Sequence, residues 1–280
     1  MTHTARDLEG CSLLAVFAHP DDESLAAGGL LAWCASRGAR VSLLCVSRGE
    51  AGHTSREPGS SASAEATADE SDAANLGEIR AQELHDAAGV LGLADCVLLS
   101  HPDGMLPWLD AGVLVRDITA AIVNWRPDVV VTFGEDGLYW HPDHVAVYEA
   151  TRDAVSALGA DAPSLYYVTM PPGQMEAVLA AVAPRLATSA RRDILGIEDA
   201  AAFGAAAAPP TLVLHTGPFA ARKLAALQCH RTQVAGGPFD HMSAVEAEAL
   251  LGVEHYRRAD VGSTAASFIE RLAAPSLETS

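Results

Sequence analysis

The chain has 280 residues, 49% of them hydrophobic, enough to bury a sizeable core in one large domain or two small ones. It carries 36 acidic against 18 basic residues, a formal net charge of -18. A surface this negative repels nucleic acid and anionic membrane, which argues against both as partners but identifies no ligand. The five cysteines (Cys11, Cys34, Cys45, Cys96, Cys229) are scattered with no C-x-x-C pair, and four of them sit in apolar surroundings. They read as small core residues in a reducing compartment. Met1 to Gly10 is polar and lacks the apolar stretch of a signal peptide, and no apolar run is long enough to cross a bilayer. A cytoplasmic location is therefore expected.

The first two-thirds alternate strand and helix. Ser12 to Ala18 is a short apolar strand, and Asp22 to Arg37 a helix stopped by Gly38. Val41 to Val46 is a second strand. Arg56 to Asn75 is rich in Ser, Ala and acids and reads as a mobile loop that follows it. Leu76 to Leu91 is a charged amphipathic helix, Cys96 to Leu99 a third strand, and Ala111 to Trp125 a helix with Pro127 just beyond. Val129 to Phe133 is a fourth strand, Pro142 to Leu158 a helix, and Leu165 to Val168 a fifth strand. This alternation predicts an α/β, Rossmann-like fold: a mainly parallel sheet with helices on both faces. The rest is less regular. Gln174 to Ala183 reads as helix, Asp199 to Pro210 as a loop or weak helix, Thr211 to Leu214 as one more strand, and Phe219 to His230 as a helix. With no internal repeat and no clean boundary, one domain is expected. Its core spans about 12–170, and 171–280 complete the pocket.

Two clusters carry chemistry. In Val16-Phe17-Ala18-His19-Pro20-Asp21-Asp22-Glu23, a buried strand ends in one histidine and three acids, and a helix then begins. Asp21 or Asp22 capping that helix is the plain alternative, but a cap needs one carboxylate. Concentrating three beside a buried strand costs stability unless a cation offsets the repulsion. A dinucleotide site near Gly28-Gly29 is a weaker alternative, because the turn lacks glycines and its carboxylates would repel a pyrophosphate. The second cluster, His141-Pro142-Asp143-His144, follows the fourth strand through Gly134-Glu135-Asp136-Gly137. A single histidine there would read as a helix cap or surface residue. Two bracketing Pro-Asp, mirroring the first cluster, point to one metal site assembled from both ends. Imidazole mixed with carboxylate suits zinc or a similar divalent metal. Open parallel sheets bind ligands beyond the carboxyl ends of their strands, where both clusters lie. Carboxylate and imidazole groups left over from the ligand set could serve metal-activated water as base and electrophile.

At this point the chain resembles the PIG-L/LmbE-like family of metal-dependent N-deacetylases, which act on N-acetylglucosamine conjugates and related acetamido or amide compounds. The resemblance covers about Leu13 to Ala150. It is carried by Ala18 to Glu23, Ser47-Arg48-Gly49-Glu50-Ala51-Gly52, Ile79-Arg80-Ala81-Gln82-Glu83-Leu84, Pro102-Asp103-Gly104 and His141 to His144, with a further family-like pattern over Lys223 to Gln233. The resemblance implies His19, Asp22 and His144 as metal ligands and Asp21 as general base. His141 is implied as an electrostatic or acid group, and Tyr139 as an aid to the oxyanion. Arg80 and Asp103 match positions that hold sugar hydroxyls, and Glu50, His53 and His230 are further expected substrate contacts. Two departures stand out: Trp140 replaces a common Gly beside Tyr139, and His53 stands where some relatives carry an acid. Trp108 and Trp140 are expected at the pocket mouth. The implied cofactor is zinc, with iron(II) accepted by the same ligands, and the implied partner is a small amino sugar substrate. The residues leave open whether the chain forms a homo-oligomer. Rival readings are an amidase acting on a thiol conjugate, a non-catalytic carbohydrate-binding protein, and a nucleotide-binding Rossmann protein.

Overall fold

A computed structural model describes residues 7–52, 70–186 and 191–273. Among them, seven strands form one sheet in the order β3-β2-β1-β4-β5-β7-β6. The strands are β1 (Ser12–Phe17), β2 (Arg40–Ser47), β3 (Asp95–His101), β4 (Val129–Phe133), β5 (Ser164–Thr169), β6 (Leu212–His215) and β7 (Val253–Gly262). The first five run parallel. Almost every residue of β1, β2, β4 and β5 is buried, as unbroken Val/Leu/Ile runs require when helices cover both faces of a sheet.

The helices are α1 (Asp22–Ser36), α2 (Glu70–Leu91), α3 (Ala111–Trp125), α4 (Gly137–Trp140), α5 (Pro142–Ala157), α6 (Gln174–Val182), α7 (Ala220–Cys229), α8 (Arg231–Val234), α9 (Ala244–Leu251) and α10 (Phe268–Ala273). Helix α1 is buried for most of its length, because α2 and α7 pack over it; α3 and α5 pair elsewhere. The central strand β1 sends the chain to β2 on one side, while β4 flanks it on the other. The strand order therefore reverses between β1 and β4, and the crevice beyond their carboxyl ends is where such sheets take ligands.

Three expectations need correction. Helix α2 covers Glu70–Leu91, so the end of the expected Arg56 to Asn75 loop is helical. Local propensity is a weak signal that packing of the rest of the helix overrides. The rest of that stretch, and His53, lie outside the described residues. Strand β7 was not anticipated. It runs antiparallel between β5 and β6, so the sheet does not end with parallel strands. Its sequence, with Glu254, Arg257 and Arg258, hides the pattern. Glu254 and Tyr256 point inward all the same, at 4% and 0% exposure. Helix α9 was also missed, although Ser243 and Glu246 form a capping box whose S-x-x-E spacing was legible. All five cysteines are free, as expected; Cys34 and Cys45 are buried and the other three partly so.

Candidate metal and active site

The first cluster sits where β1 turns into α1. Asp21 occupies the position before the helix with φ 122°, and its side chain does not cap the helix. Its own amide donates to Glu23 Oε2 at 3.1 Å, which helps hold this strained turn. Asp22 Oδ2 accepts from the His19 amide at 2.8 Å. Neither carboxylate therefore plays the plain capping role.

The second cluster opens α5. The His141 ring accepts the Asp143 amide at Nδ1 (3.2 Å), capping the helix. That leaves Nε2 as the nitrogen that carries the proton in the neutral ring. His144 is fully buried, its ring stacked on Phe133 with centroids 4.0 Å apart, and its Nδ1 donates to the Gly137 carbonyl at 3.0 Å. Its Nε2 is thereby left as an acceptor or ligand.

The two clusters meet. His19 Nδ1 lies 3.2 Å from His144 Nε2 and 3.4 Å from Asp22 Oδ2, and His144 Nε2 lies 3.3 Å from Asp22 Oδ1. Ligands at zinc distances in a tetrahedron are about 3.3 Å apart. The two imidazole nitrogens have that spacing, and Asp22 presents one oxygen to each, a donor set that suits a small divalent cation. The other nitrogen of His19, Nε2, is 2.9 Å from Asp103 Oδ1 and 3.2 Å from Asp143 Oδ2. Carboxylates behind a histidine in this way fix the tautomer and ring orientation of a metal ligand. Donor atoms also converge within 4.8 Å in two other groupings, His19 with His141 and His144, and His19 with Asp103 and Asp143. The second lies on the far face of the His19 ring. The first places His141 beside the Asp22 and His144 donors.

Charge at the cluster follows from burial and neighbours. Burial works against charging His19, but Asp103, Asp143 and Asp22 outweigh it and raise its pKa well above the usual value. A cation on Nδ1 would replace that proton. Burial pushes His144 down to about 3, which keeps the ring neutral as a ligand must be. Burial would raise Asp22, but His144 and His19 pull it well below the usual range. Burial raises Asp21 to about 7, opposed chiefly by Arg80. Burial also lowers His141 and keeps the Tyr139 phenol protonated.

A cavity of about 310 Å³ opens over the donors. His19, Asp21, Asp22, Arg80, Asp103, Tyr139 and His141 all line it. Arg80 is buried on α2. It donates to the carbonyls of Gly49 (2.7 Å) and Pro20 (2.6 Å) and to Asp21 Oδ2 (3.1 Å), while its Nε has no partner among the described residues. A side chain on Gly49 or Gly52 would collide with its guanidinium. Asp103 Oδ2 accepts from Ala51 N and Glu50 Oε1 from Asp103 N, both at 2.9 Å, so the loops after β2 and β3 are tied together. Tyr139 turns its ring inward, 5.3 Å from that of His144, between residues of positive φ.

Other expectations fall differently. Glu50 and His230 are not among the lining residues. Glu50 serves the loop tie, and His230, fully buried, meets Glu23 Oε1 at 2.9 Å behind the cluster. Trp108 and Trp140 are 68% and 61% exposed and do not line the cavity. Trp140 has a φ of 63° and stays largely exposed, while Tyr139 still lines the cavity. Several groups had no role assigned from the sequence: Asp143 and Glu23, although both lie in the two clusters, Gln233, and the wall of Leu195, Ile197 and Phe203. For Asp143 the signal was available, since it lies inside the quoted motif. The wall comes from irregular chain with no local signature.

The fold and the site define an α/β protein with a His/Asp centre able to hold a metal ion at the switch point of its sheet. Comparison with known proteins narrows this. The family described as GlcNAc-PI de-N-acetylase (PIG-L) matches residues 14–155. A 1D-myo-inositol 2-acetamido-2-deoxy-alpha-D-glucopyranoside deacetylase of Acidothermus cellulolyticus is 33% identical over 266 residues, covering 88% of this chain and 87% of that one. Among solved structures, the N,N'-diacetylchitobiose deacetylase of Pyrococcus horikoshii aligns with TM-score 0.57 and 18% identity over 89% of this chain and 83% of its own. The 4-carboxy-2-hydroxymuconate hydratase GalB of Pseudomonas putida aligns with TM-score 0.57 and 19% identity over 92% and 99%. A hydratase and a deacetylase on one backbone show that these likenesses carry the fold alone. The chain belongs to the PIG-L GlcNAc-PI de-N-acetylase family. Its activity class, hydrolytic N-deacetylation, follows from that membership. No described helix is long and apolar enough to cross a membrane.

Proposed function

We propose that the chain is a zinc-dependent hydrolase that removes the N-acetyl group from an N-acetylglucosamine conjugate. The observation that carries this reading is the convergence of His19 Nδ1, Asp22 and His144 Nε2 at 3.2–3.4 Å, with Asp21, His141 and Tyr139 on the same cavity. His19, Asp22 and His144 would hold the metal, and iron(II) suits the same donors. When bound, the metal supplies Lewis acidity toward the acetamide carbonyl and lowers the pKa of water.

The chain's own residues do the rest. Asp21, with Oδ2 held by Arg80, takes the proton of the attacking water at Oδ1. His141 donates from Nε2 to the developing oxyanion, and the protonated Tyr139 hydroxyl assists from the neighbouring wall. Asp21 then returns its proton to the leaving amine as the C–N bond breaks, releasing acetate and a free amino sugar. Arg80 and Asp103 line the cavity and are the groups proposed to grip sugar hydroxyls. Glu50 and His230 act indirectly, holding Asp103 and Glu23 in place.

The decisive assay is release of primary amine from a panel of N-acetylglucosamine conjugates, among them the 1D-myo-inositol glycoside for which the relatives are named. Metal-loaded protein should free amine from at least one member, and chelation should abolish this. If simple acyl amides are cleaved as fast as every acetamido sugar, the amidase reading replaces this one.

A further inference from the structure

The cavity lining divides by chemistry. Arg80, Asp103 and Gln233 offer polar groups, whereas Tyr139, Leu195, Ile197 and Phe203 form an apolar part, with the Tyr139 and Phe203 rings 4.6 Å apart. Leu195 reaches the cavity from the tip of an unusual turn. Ile194 and Ile197 exchange backbone hydrogen bonds of 2.9 and 3.0 Å. The two residues between them, Leu195 and Gly196, have φ of 52° and 89°. Positive φ at both central positions is the mark of a type I′ turn, which favours Asn, Asp or Gly at the first of them. A leucine there is strained.

The turn is also braced. Asp193 accepts the Gly196 amide at 2.6 Å and is gripped by Arg191 at 2.9 and 2.6 Å, and Arg191 also donates to the Gln233 carbonyl at 3.1 Å. The strained residue is therefore held against the cavity from the same segment that supplies Gln233. Leu195 and Ile197 pack partly on the core, and their remaining surface lines the cavity, where an apolar ligand group has a place to pack.

We infer that Leu195 determines specificity, and that the substrate carries an apolar group which packs on Leu195, Ile197 and Phe203. This rests on the amino sugar reading and deepens it. Two sources share that chemistry: an apolar aglycone, or an acyl chain longer than acetyl. The test has two arms. One compares octyl with methyl glycosides of N-acetylglucosamine; the other compares N-octanoyl with N-acetyl methyl glucosaminide. Each is run on the native chain, Leu195→Gly and Leu195→Asn. Both replacements tolerate positive φ, so the turn and the fold persist.

The expected result is a preference of about tenfold or more in kcat/KM for the apolar member of one arm, the size a buried hydrophobic contact supplies. That ratio should fall towards one in both variants, and the responding arm identifies the source. Equal rates in both arms, or a preference unchanged by both variants, overturn the inference. Should no sugar be turned over at all, the deacetylase reading fails on its own account. Calorimetric binding of octyl and methyl glucosaminide then decides: tighter octyl binding lost in the variants upholds the contact, and equal binding removes it.

Discussion

The chain up to β5 and the part after it meet at one cavity, but they contribute to it differently. The first part places its chemistry directly on strand ends: His19, Asp21 and Asp22 after β1, Asp103 after β3, and His141 and His144 after β4. The second part puts no donor into the metal cluster described above. It buttresses from behind and walls from above. His230 holds Glu23, which holds the Asp21 amide. Glu254 of β7 accepts from Lys223 (2.6 Å), from the Gly29 and Leu30 amides (2.8 Å each) and from Tyr256 (2.8 Å), joining α7 and β7 to the middle of α1. Leu195 and Phe203 close the cavity. Chemistry fixed to backbone turns tolerates little variation, whereas a wall built of irregular chain can change while the centre stays as it is.

The sharpest division between the regions is metal loss. His144→Ala removes a fully buried donor, so bound metal and activity should disappear together, as measured by metal analysis beside the amine assay. Full metal occupancy in this variant would move the ligand set elsewhere in the cluster.

The counterpart in the second region is Lys223→Met. It strips the partner from a buried carboxylate, a loss that typically costs about 3–5 kcal/mol of folding stability. Denaturant unfolding should show it, while the folded fraction still binds metal. A variant that keeps its stability but loses metal would mean that the buttress belongs to the centre itself.

Asp21→Asn tests chemistry without ligation. It should keep metal and lower kcat by about a hundredfold or more, the scale of lost general-base help. Near-normal kcat would assign the base elsewhere.

Asp143→Asn is the mildest of the four. Its carboxylate faces His19 Nε2 and accepts the Gly104 and Leu106 amides at 2.8 and 3.1 Å. Weakening such a second layer usually costs about 10- to 100-fold in metal affinity or activity. Competition with a chelator should show that range, with secondary structure unchanged by circular dichroism. No change in affinity would leave Asp103 as the group that orients His19.

Sequence alone was enough for the parallel strands and for the two His/Asp clusters, while the roles of ligand and base within them came from the family resemblance. Buried strands write themselves as unbroken apolar runs, and a histidine followed by three acids at the end of one has few structural explanations. Local order decided the strands and where the clusters fall on them, so local reading found those. Strand β7 escaped because its inward Glu254 is satisfied by partners on α1 and α7, far away in the chain, and Tyr256 in turn donates to Glu254. Nothing near Val253 announces that Lys223 will neutralise it. The same reason separates the roles of the polar site residues. Arg80, Glu50 and His230 all looked like substrate contacts, yet only tertiary packing sets Arg80 on the cavity and the other two behind it. It also turns Trp140 outward and brings a strained Leu195 over the donors. Which residues can bind a metal is a property of their chemistry and spacing, while which surface they face is decided by how the whole chain packs around them.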